Sequence, residues 1–152
     1  MVDTEIQPAP CSAAEGPRVI IREGTTAHHR AAEAVQLAAF DHIHWPFTDD
    51  LFLWVEVDGE MGAYLVWRQT AYPDEFEILS LATHPKHQRK GLARKLVQTF
   101  CDGREGDIFI EVRESNWGSR AFYKSLGFVE TGRRHAYYEN NREGAIVMKL
   151  RI

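Results

Sequence analysis

Six residues, Gln88-Arg89-Lys90-Gly91-Leu92-Ala93, combine the features of an anion-binding turn. They follow the strand-like apolar run Ile78-Leu79-Ser80-Leu81-Ala82 and a stop at Pro85. They also open a segment in which Leu92, Ala93, Leu96, Val97 and Phe100 share one face at helical periodicity. The first turn of a helix leaves backbone N–H groups without partners and carries a partial positive charge, and a glycine there lets an anion approach the backbone. Lys86, Arg89, Lys90, Arg94 and Lys95 add five cations around the turn. The chemistry this arrangement suits is capture of a pyrophosphate. Its spacing, Gln-x-x-Gly-x-Ala, is neither the G-x-x-x-x-G-K-[ST] of a P-loop nor the G-x-G-x-x-G of a dinucleotide fold. Of the seven histidines, His84 and His87 could offer two ligands on one turn, but no third ligand stands at a standard spacing, so no metal site is expected.

The elements that would position this turn follow from local pattern. Residues 1–17, with Pro8, Pro10, Pro17 and Gly16 and no periodicity, read as a flexible tail, leaving 18–152 as one domain. Val19-Ile20-Ile21-Arg22 reads as a strand. Thr25 or Thr26 then caps a helix ending near Phe40, with Ala27, Ala31, Ala34, Val35 and Ala38 on one face. Asp41 to Asp50 reads as an aromatic-rich loop around Trp45-Pro46. Leu51 to Val57 and Met61 to Gln69 are strands joined at Asp58-Gly59, a hairpin signal, and Tyr72-Pro73-Asp74 turns into the central strand. Beyond the Lys90 to Phe100 helix come a strand from Asp107 to Val112, a helix from Trp117 to Leu126 capped by Ser115 or Asn116, and a glycine stop at Gly127-Phe128. Val129 to Thr131 and Ala145 to Leu150 close the sheet. The order β-α-β-β-β-α-β-α-β-β predicts an α/β domain with a mixed central sheet and flanking helices.

With 152 residues, 44% of them hydrophobic, the chain is long enough for one domain with a sizeable core. Two cysteines, Cys11 and Cys101, make no disulfide framework, which favours a reducing compartment. No apolar run reaches the ~18 residues of a membrane span and the first residues lack the basic start of a signal peptide, so the expectation is cytoplasmic. A formal charge of −4 argues against general nucleic-acid binding, and no aromatic interleaves the Lys86 to Lys95 cations as a stacking surface would need.

Gln88, Gly91 and Ala93 match the Q/R-x-x-G-x-G/A acetyl-CoA loop of the GNAT N-acetyltransferases, and the chain resembles that family from about Arg18 to its C-terminus. Ile110-Glu111-Val112-Arg113-Glu114-Ser115-Asn116, Ala121 to Phe128, Arg133 to Tyr138 and Ala145 to Leu150 resemble its ribosomal-protein alanine N-acetyltransferase branch, RimI. The resemblance implies a GNAT-type fold and acetyl-CoA as cosubstrate, held by Gln88, Arg89, Lys90, Gly91, Leu92 and Ala93, by backbone groups of Leu81, Ala82 and Thr83, and by Asn116. It implies Glu111 as general base and Tyr123 as general acid. Glu77, placed like the glutamate of histone-acetylating relatives, is the competing base. Tyr137 and Tyr138 would frame an acceptor peptide or protein N-terminus, with ribosomal proteins the implied class, and neither membrane nor nucleic acid is expected as a partner.

These types suit the reaction, because an amine attacks a thioester only when neutral and a phenol can protonate the leaving thiolate. Each also has a plainer reading. Tyr123 stands where a helix-end residue would pack on Phe128, Glu111 where it could pair with Arg113 or Lys149, and Glu77 where it could pair with Arg68 or Lys86. Ala82-Thr83-His84-Pro85 departs from the family's more usual Val-Asp-Pro, and Trp45-Pro46 inverts the Pro-Trp of RimI. A lysine or small-molecule amine as acceptor, or a silent acyl-CoA-binding module, are the alternatives.

Overall fold

The computed structural model describes residues 16–40, 43–48, 50–135, 137 and 143–152. The tail reading for residues 1–15 lies outside them. Strands β1 (Val19–Glu23), β2 (Leu51–Val57), β3 (Glu60–Gln69), β4 (Glu75–Thr83), β5 (Asp107–Arg113), β6 (Val129–Arg134) and β7 (Ala145–Arg151) form one sheet in the order β1-β2-β3-β4-β5-β7-β6. Neighbours are antiparallel except β4 and β5, whose parallel pairing needs a crossover. Helix α2 (Leu92–Cys101) supplies it. Helices α1 (His29–Phe40) and α3 (Trp117–Ser125) complete the expected alternation of elements.

Local chemistry explains most of these boundaries. Asp58 and Gly59, at φ 49° and 87°, make the two-residue turn that joins β2 to β3, a geometry that requires positive φ at both positions. Asn116 caps α3 by accepting the Ser119 N–H at 3.1 Å. At its other end Gly127, at φ 98°, donates to the Lys124 carbonyl while Phe128 donates to that of Tyr123, the two bonds of a Schellman stop. β6 extends to Arg134, further than its polar sequence suggests, because β7 supplies a ladder that an exposed strand can join without burying either face.

Two hydrophobic clusters sandwich the sheet. Leu92, Leu96, Val97 and Phe100 of α2, with Tyr123 of α3, pack on Val55, Leu65, Ile78, Ile108, Ile110 and Met148. Full burial of each such aliphatic side chain contributes about 1.5–3 kcal/mol. On the opposite face Ala32 and Val35 of α1 meet Phe47, Phe52, Trp54, Tyr64, Val66 and Ala82. The buried stripe of α1 is therefore Ala32, Val35 and Gln36, while Ala31, Ala34 and Ala38 of the expected face are exposed and Ala27 lies in a preceding 3₁₀ turn. Alanines stand on every side of this helix, so their spacing does not choose a face, and the deciding side chain is a polar one, Gln36.

A second buried polar group is His87, 7% exposed, in the short turn Pro85–His87 that precedes α2. Gly62 leaves room for it: a Cβ there would stand 2.8 Å from Val57, 3.1 Å from Leu92 and 3.4 Å from the His87 ring. Burial, then the nearby Lys90 and Lys86, hold the His87 imidazole below its ordinary pKa. The unfolded chain therefore takes up this proton first, so stability is full above the ordinary histidine pKa and falls as pH drops toward the lowered folded value. Thermal melts between about pH 7 and 5 are expected to show a shallower decline for His87→Phe than for the native chain. Parallel declines would remove His87 from that role.

Candidate active site

β4 and β5 part company halfway. Their shared ladder runs from Glu75 opposite Asp107 to Ile78 opposite Ile110, yet β4 continues to Thr83 and β5 to Arg113. The divergence coincides with a bulge: Val66 of β3 pairs with Ser80 and Trp67 with Ile78, so Leu79 has no opposite residue. The alternation of faces resets there. Leu79 packs into the α1-side cluster, the Ser80 hydroxyl meets the buried Tyr64 hydroxyl on that side at 3.0 Å, and Leu81 returns to the α2 side. Residues 79–83 thus present one strand edge without a neighbour, in the middle of a sheet, where their outward N–H and C=O groups are open to an extended amide-bearing chain.

The seam leads to the turn that precedes α2. His84 Nδ1 accepts the Lys86 N–H at 3.1 Å, the bond a capping aspartate would make, which accounts physically for histidine at this departure from the family pattern. Gln88 reaches back to the Thr83 carbonyl at 3.4 Å. Arg89 and Gly91 sit at φ 62° and 74°, and α2 begins at Leu92. Among the described residues no acceptor takes the backbone N–H groups of residues 89–94. Among the described residues, nothing besides its own chain neighbours lies within 4 Å of where a Gly91 Cβ would stand. Lys86 pairs with Glu60 at 3.4 Å and Arg94 bonds the Ser125 hydroxyl at 2.7 Å, while Arg89, Lys90 and Lys95 meet no carboxylate among the described residues. Ala93 is half-buried on the first turn of α2, and Asn116, its oxygen used by the cap, has an amide nitrogen with no acceptor among the described residues.

The candidate bases come together. Glu77 and Glu111 point to the α1 face and line a pocket of about 280 Å³ with Thr70, Glu75, Phe109, Arg134 and Val147. Glu77 is held by Arg68, at 2.8 Å from its Nε, as its plainer reading anticipates. Glu111 is paired differently from either expectation. Its partner is Arg134 Nε at 2.9 Å, whereas Arg113 goes to Glu143 and Lys149 to Asp107. The two members differ in exposure, 14% for Glu111 against 58% for Arg134. That pair links residues 23 positions apart through the β5-β7-β6 order, which no local spacing signals.

Tyr123 lies on the other side of the sheet, 4% exposed among the α2-side residues, with its ring 5.4 Å from Phe128 and 5.0 Å from Phe122. Burial pushes its phenol well above the ordinary value, which keeps it protonated. Base and acid candidates therefore flank the seam from opposite faces. Tyr137 is exposed at the end of β6, its ring 5.3 Å from the Arg134 guanidinium, and Tyr138 lies outside the described residues. Among the described residues no three His, Cys, Asp or Glu side chains gather as a metal site, and no helix is long and apolar enough to cross a membrane.

Residues 21–128 match the Acetyltransferase (GNAT) family. The chain is 37% identical over 101 residues to the [Ribosomal protein bS18]-alanine N-acetyltransferase of Escherichia coli, covering 62% of this chain and 67% of that one. It is 33% identical over 78 residues to the N-alpha-acetyltransferase RimI of Mycobacterium tuberculosis, covering 51% and 49%. The crystal structure of the Escherichia coli ribosomal-protein-S18-alanine N-acetyltransferase superposes with a TM-score of 0.76 at 29% identity, over 89% of this chain and 94% of that one. A Salmonella typhimurium acetyltransferase solved with its cofactor acetyl-CoA gives 0.70 at 20% identity, over 88% and 93%, a likeness of fold.

The space beside Gly91 yields a direct test. Gly91→Val sets a branched side chain over the N–H groups and strains a left-handed backbone by about 1–2 kcal/mol. Gly91→Asn tolerates that backbone and adds bulk alone. Calorimetric titration with acetyl-CoA is expected to show a loss of affinity of tenfold or more in both folded variants. Native affinity in both would place the nucleotide elsewhere.

Proposed function

The chain belongs to the acetyltransferase (GNAT) family and is an acyltransferase, and on that premise we propose that it transfers acetyl from acetyl-CoA to the N-terminal α-amine of a protein. The observation that carries this reading is the open seam between β4 and β5, with carboxylates on one face and a buried phenol on the other. The residues present fit the cosubstrate. The unpartnered N–H groups of residues 89–94 suit a pyrophosphate, and the free edge of Leu81, Ala82 and Thr83 with the Asn116 amide suits the amide groups of a pantetheine arm. When bound, acetyl-CoA supplies a thioester already activated for acyl transfer, so no covalent enzyme intermediate is needed.

The protein's own work is positioning and proton movement. Glu111, directly or through a water, takes a proton from the acceptor ammonium on the α1 face, and the neutral amine then attacks. To do so it exchanges Arg134, whose guanidinium is largely exposed, for the acceptor ammonium, so the carboxylate keeps a cation beside it throughout. Backbone N–H groups near Ala82 or Thr83 stabilise the charge that develops on the carbonyl oxygen. Tyr123 gives its proton to the departing sulfur from the α2 side. Glu77 shares the pocket with Glu111 and is the second candidate for the base.

The relatives named as alanine N-acetyltransferases of ribosomal protein bS18 support an α-amine acceptor, and with it a ribosomal protein as the class of partner. Proton chemistry agrees. An α-amine, of pKa about 7.7–8.0, is neutral at pH 7 in roughly a tenth of molecules, a lysine of pKa about 10.4 in well under a thousandth. A single carboxylate therefore suffices for the former with little tuning.

Glu111→Gln and Tyr123→Phe preserve shape while removing the charge or the hydroxyl, and each is expected to lower kcat by about 10²–10⁴-fold with acetyl-CoA affinity intact. Glu77→Gln is expected to do less. Steady-state kinetics with Glu77→Gln crippled and Glu111→Gln near native would reverse that ranking, and a native protein that binds acetyl-CoA but acetylates no amine would favour a silent acyl-CoA binder. A second assay offers two matched peptides, one with a free N-terminus and no lysine, the other blocked and carrying an internal lysine. Acetylation of the free N-terminus alone is expected by mass spectrometry. Turnover of only the blocked peptide would make the enzyme a lysine acetyltransferase.

A further inference from the structure

The segment 43–48 has little regular structure of its own, yet it is fixed at three points. Gln36, fully buried on α1, turns its carboxamide toward it: the main-chain N–H groups of His44 and Trp45 both donate to Gln36 Oε1, at 2.7 and 2.6 Å, and Gln36 Nε2 donates to the Trp45 carbonyl at 2.9 Å. One side chain thereby does what a neighbouring strand would do for an irregular stretch of backbone. The His44 ring is the second point, its Nε2 3.3 Å from the Ser80 hydroxyl, which is in turn 3.0 Å from Tyr64. Phe47 is the third, with its ring 5.1 Å from Tyr64 and 5.3 Å from Phe52.

The place where this segment is anchored matters. Ser80 follows the Leu79 bulge, just past Ile78, the last residue that β4 shares with β5, and it shows the same face as Glu77 and Glu111. His44 thus stands over β4 at the start of its open edge, on the same face as the carboxylates. Across the pocket Arg134 forms the lining on the β6 side, with the Tyr137 ring 5.3 Å from its guanidinium. From this placement we infer that Gln36 is a positioning residue for the acceptor. Its carboxamide sets the height of the 43–48 segment over β4 and so the width of the approach to the seam, without touching the reacting atoms. The inference rests on the acetyl-transfer reading and adds to it a determinant of acceptor affinity seated on the far side of the wall.

No other common side chain repeats the pattern. Glutamate keeps the two accepted bonds and loses the donated one, and leucine fills much of the volume while offering the His44 and Trp45 N–H groups no acceptor. The experiment measures kcat and KM on whichever of the two matched peptides the native enzyme acetylates, with acetyl-CoA affinity by calorimetry and a thermal melt alongside. Gln36→Leu is expected to raise the peptide KM about tenfold while kcat stays within about threefold and acetyl-CoA affinity is unchanged. Gln36→Glu is expected to recover most of that loss. Ser80→Ala, which removes the hydroxyl that the His44 ring meets and leaves Gln36 in place, is expected to raise the same KM severalfold, and it decides the matter if Gln36→Leu does not fold. A lower melting temperature with an unmoved peptide KM would make the clamp purely structural and overturn the inference. So would an equal weakening of peptide and acetyl-CoA, which signals general loosening. Native enzyme that acetylates neither peptide would instead overturn the acceptor reading itself, and the inference with it.

Discussion

A β-sheet normally leaves no backbone unpaired in its interior, because every buried N–H and C=O without a partner costs about as much as a lost hydrogen bond. This sheet breaks that rule at one place, past Ile78 and Ile110, where β4 and β5 stop pairing while both continue. The bulge at Leu79 turns β4 away, and β3 holds it there through Ser80 to Thr83, while β7 holds β5 along its whole length. Neither strand can follow the other. The gap is thus built by the neighbours on each side, and the candidate groups are placed relative to it: the turn before α2 at its end, the carboxylates on one face, the phenol on the other.

The electrostatics follow the same geometry. A chain of formal charge −4 concentrates cations at the turn from Lys86 to Lys95, where the free N–H groups of α2 already favour an anion. On the α1 face Glu75, Glu77 and Glu111 line one pocket, where Glu77 is paired with Arg68 and Glu111 with Arg134. The cationic turn and the carboxylate-lined pocket thus lie at different ends of the seam.

Much of this was legible in the residues, and what was not has identifiable causes. Helix α2 declared its face because Leu92, Leu96, Val97 and Phe100 are large and Arg94, Lys95, Gln98 and Thr99 between them are polar. Helix α1 did not, since alanine carries too little surface to mark a side and the decisive residue, Gln36, is polar. The Schellman stop at Gly127 placed Tyr123 against Phe128 correctly, and that packing is compatible with proton donation, because the same burial keeps the phenol protonated. The Leu79 bulge has no composition signature: leucine, serine and leucine in a row read as continuous strand. The Arg134 partner of Glu111 was equally hidden, as it depends on β7 lying between β5 and β6. Local pattern reports elements well and reports nothing about which neighbours a sheet will choose.

The ladder between β4 and β5 is the shortest in the sheet, and this has a consequence for how the molecule comes apart. On one side of it stand β1 to β4, joined in sequence; on the other stand β5, β7 and β6. Cooperative units of partial opening follow the weakest joins of a structure. Here the weakest join is the one that α2 bridges and that the cosubstrate would straddle, so the two half-sheets form natural foldons and a ligand lying across them acts as a staple. Sub-global opening and ligand release then share one coordinate, and an occupied seam suppresses the very excursion by which the empty protein would first lose its structure.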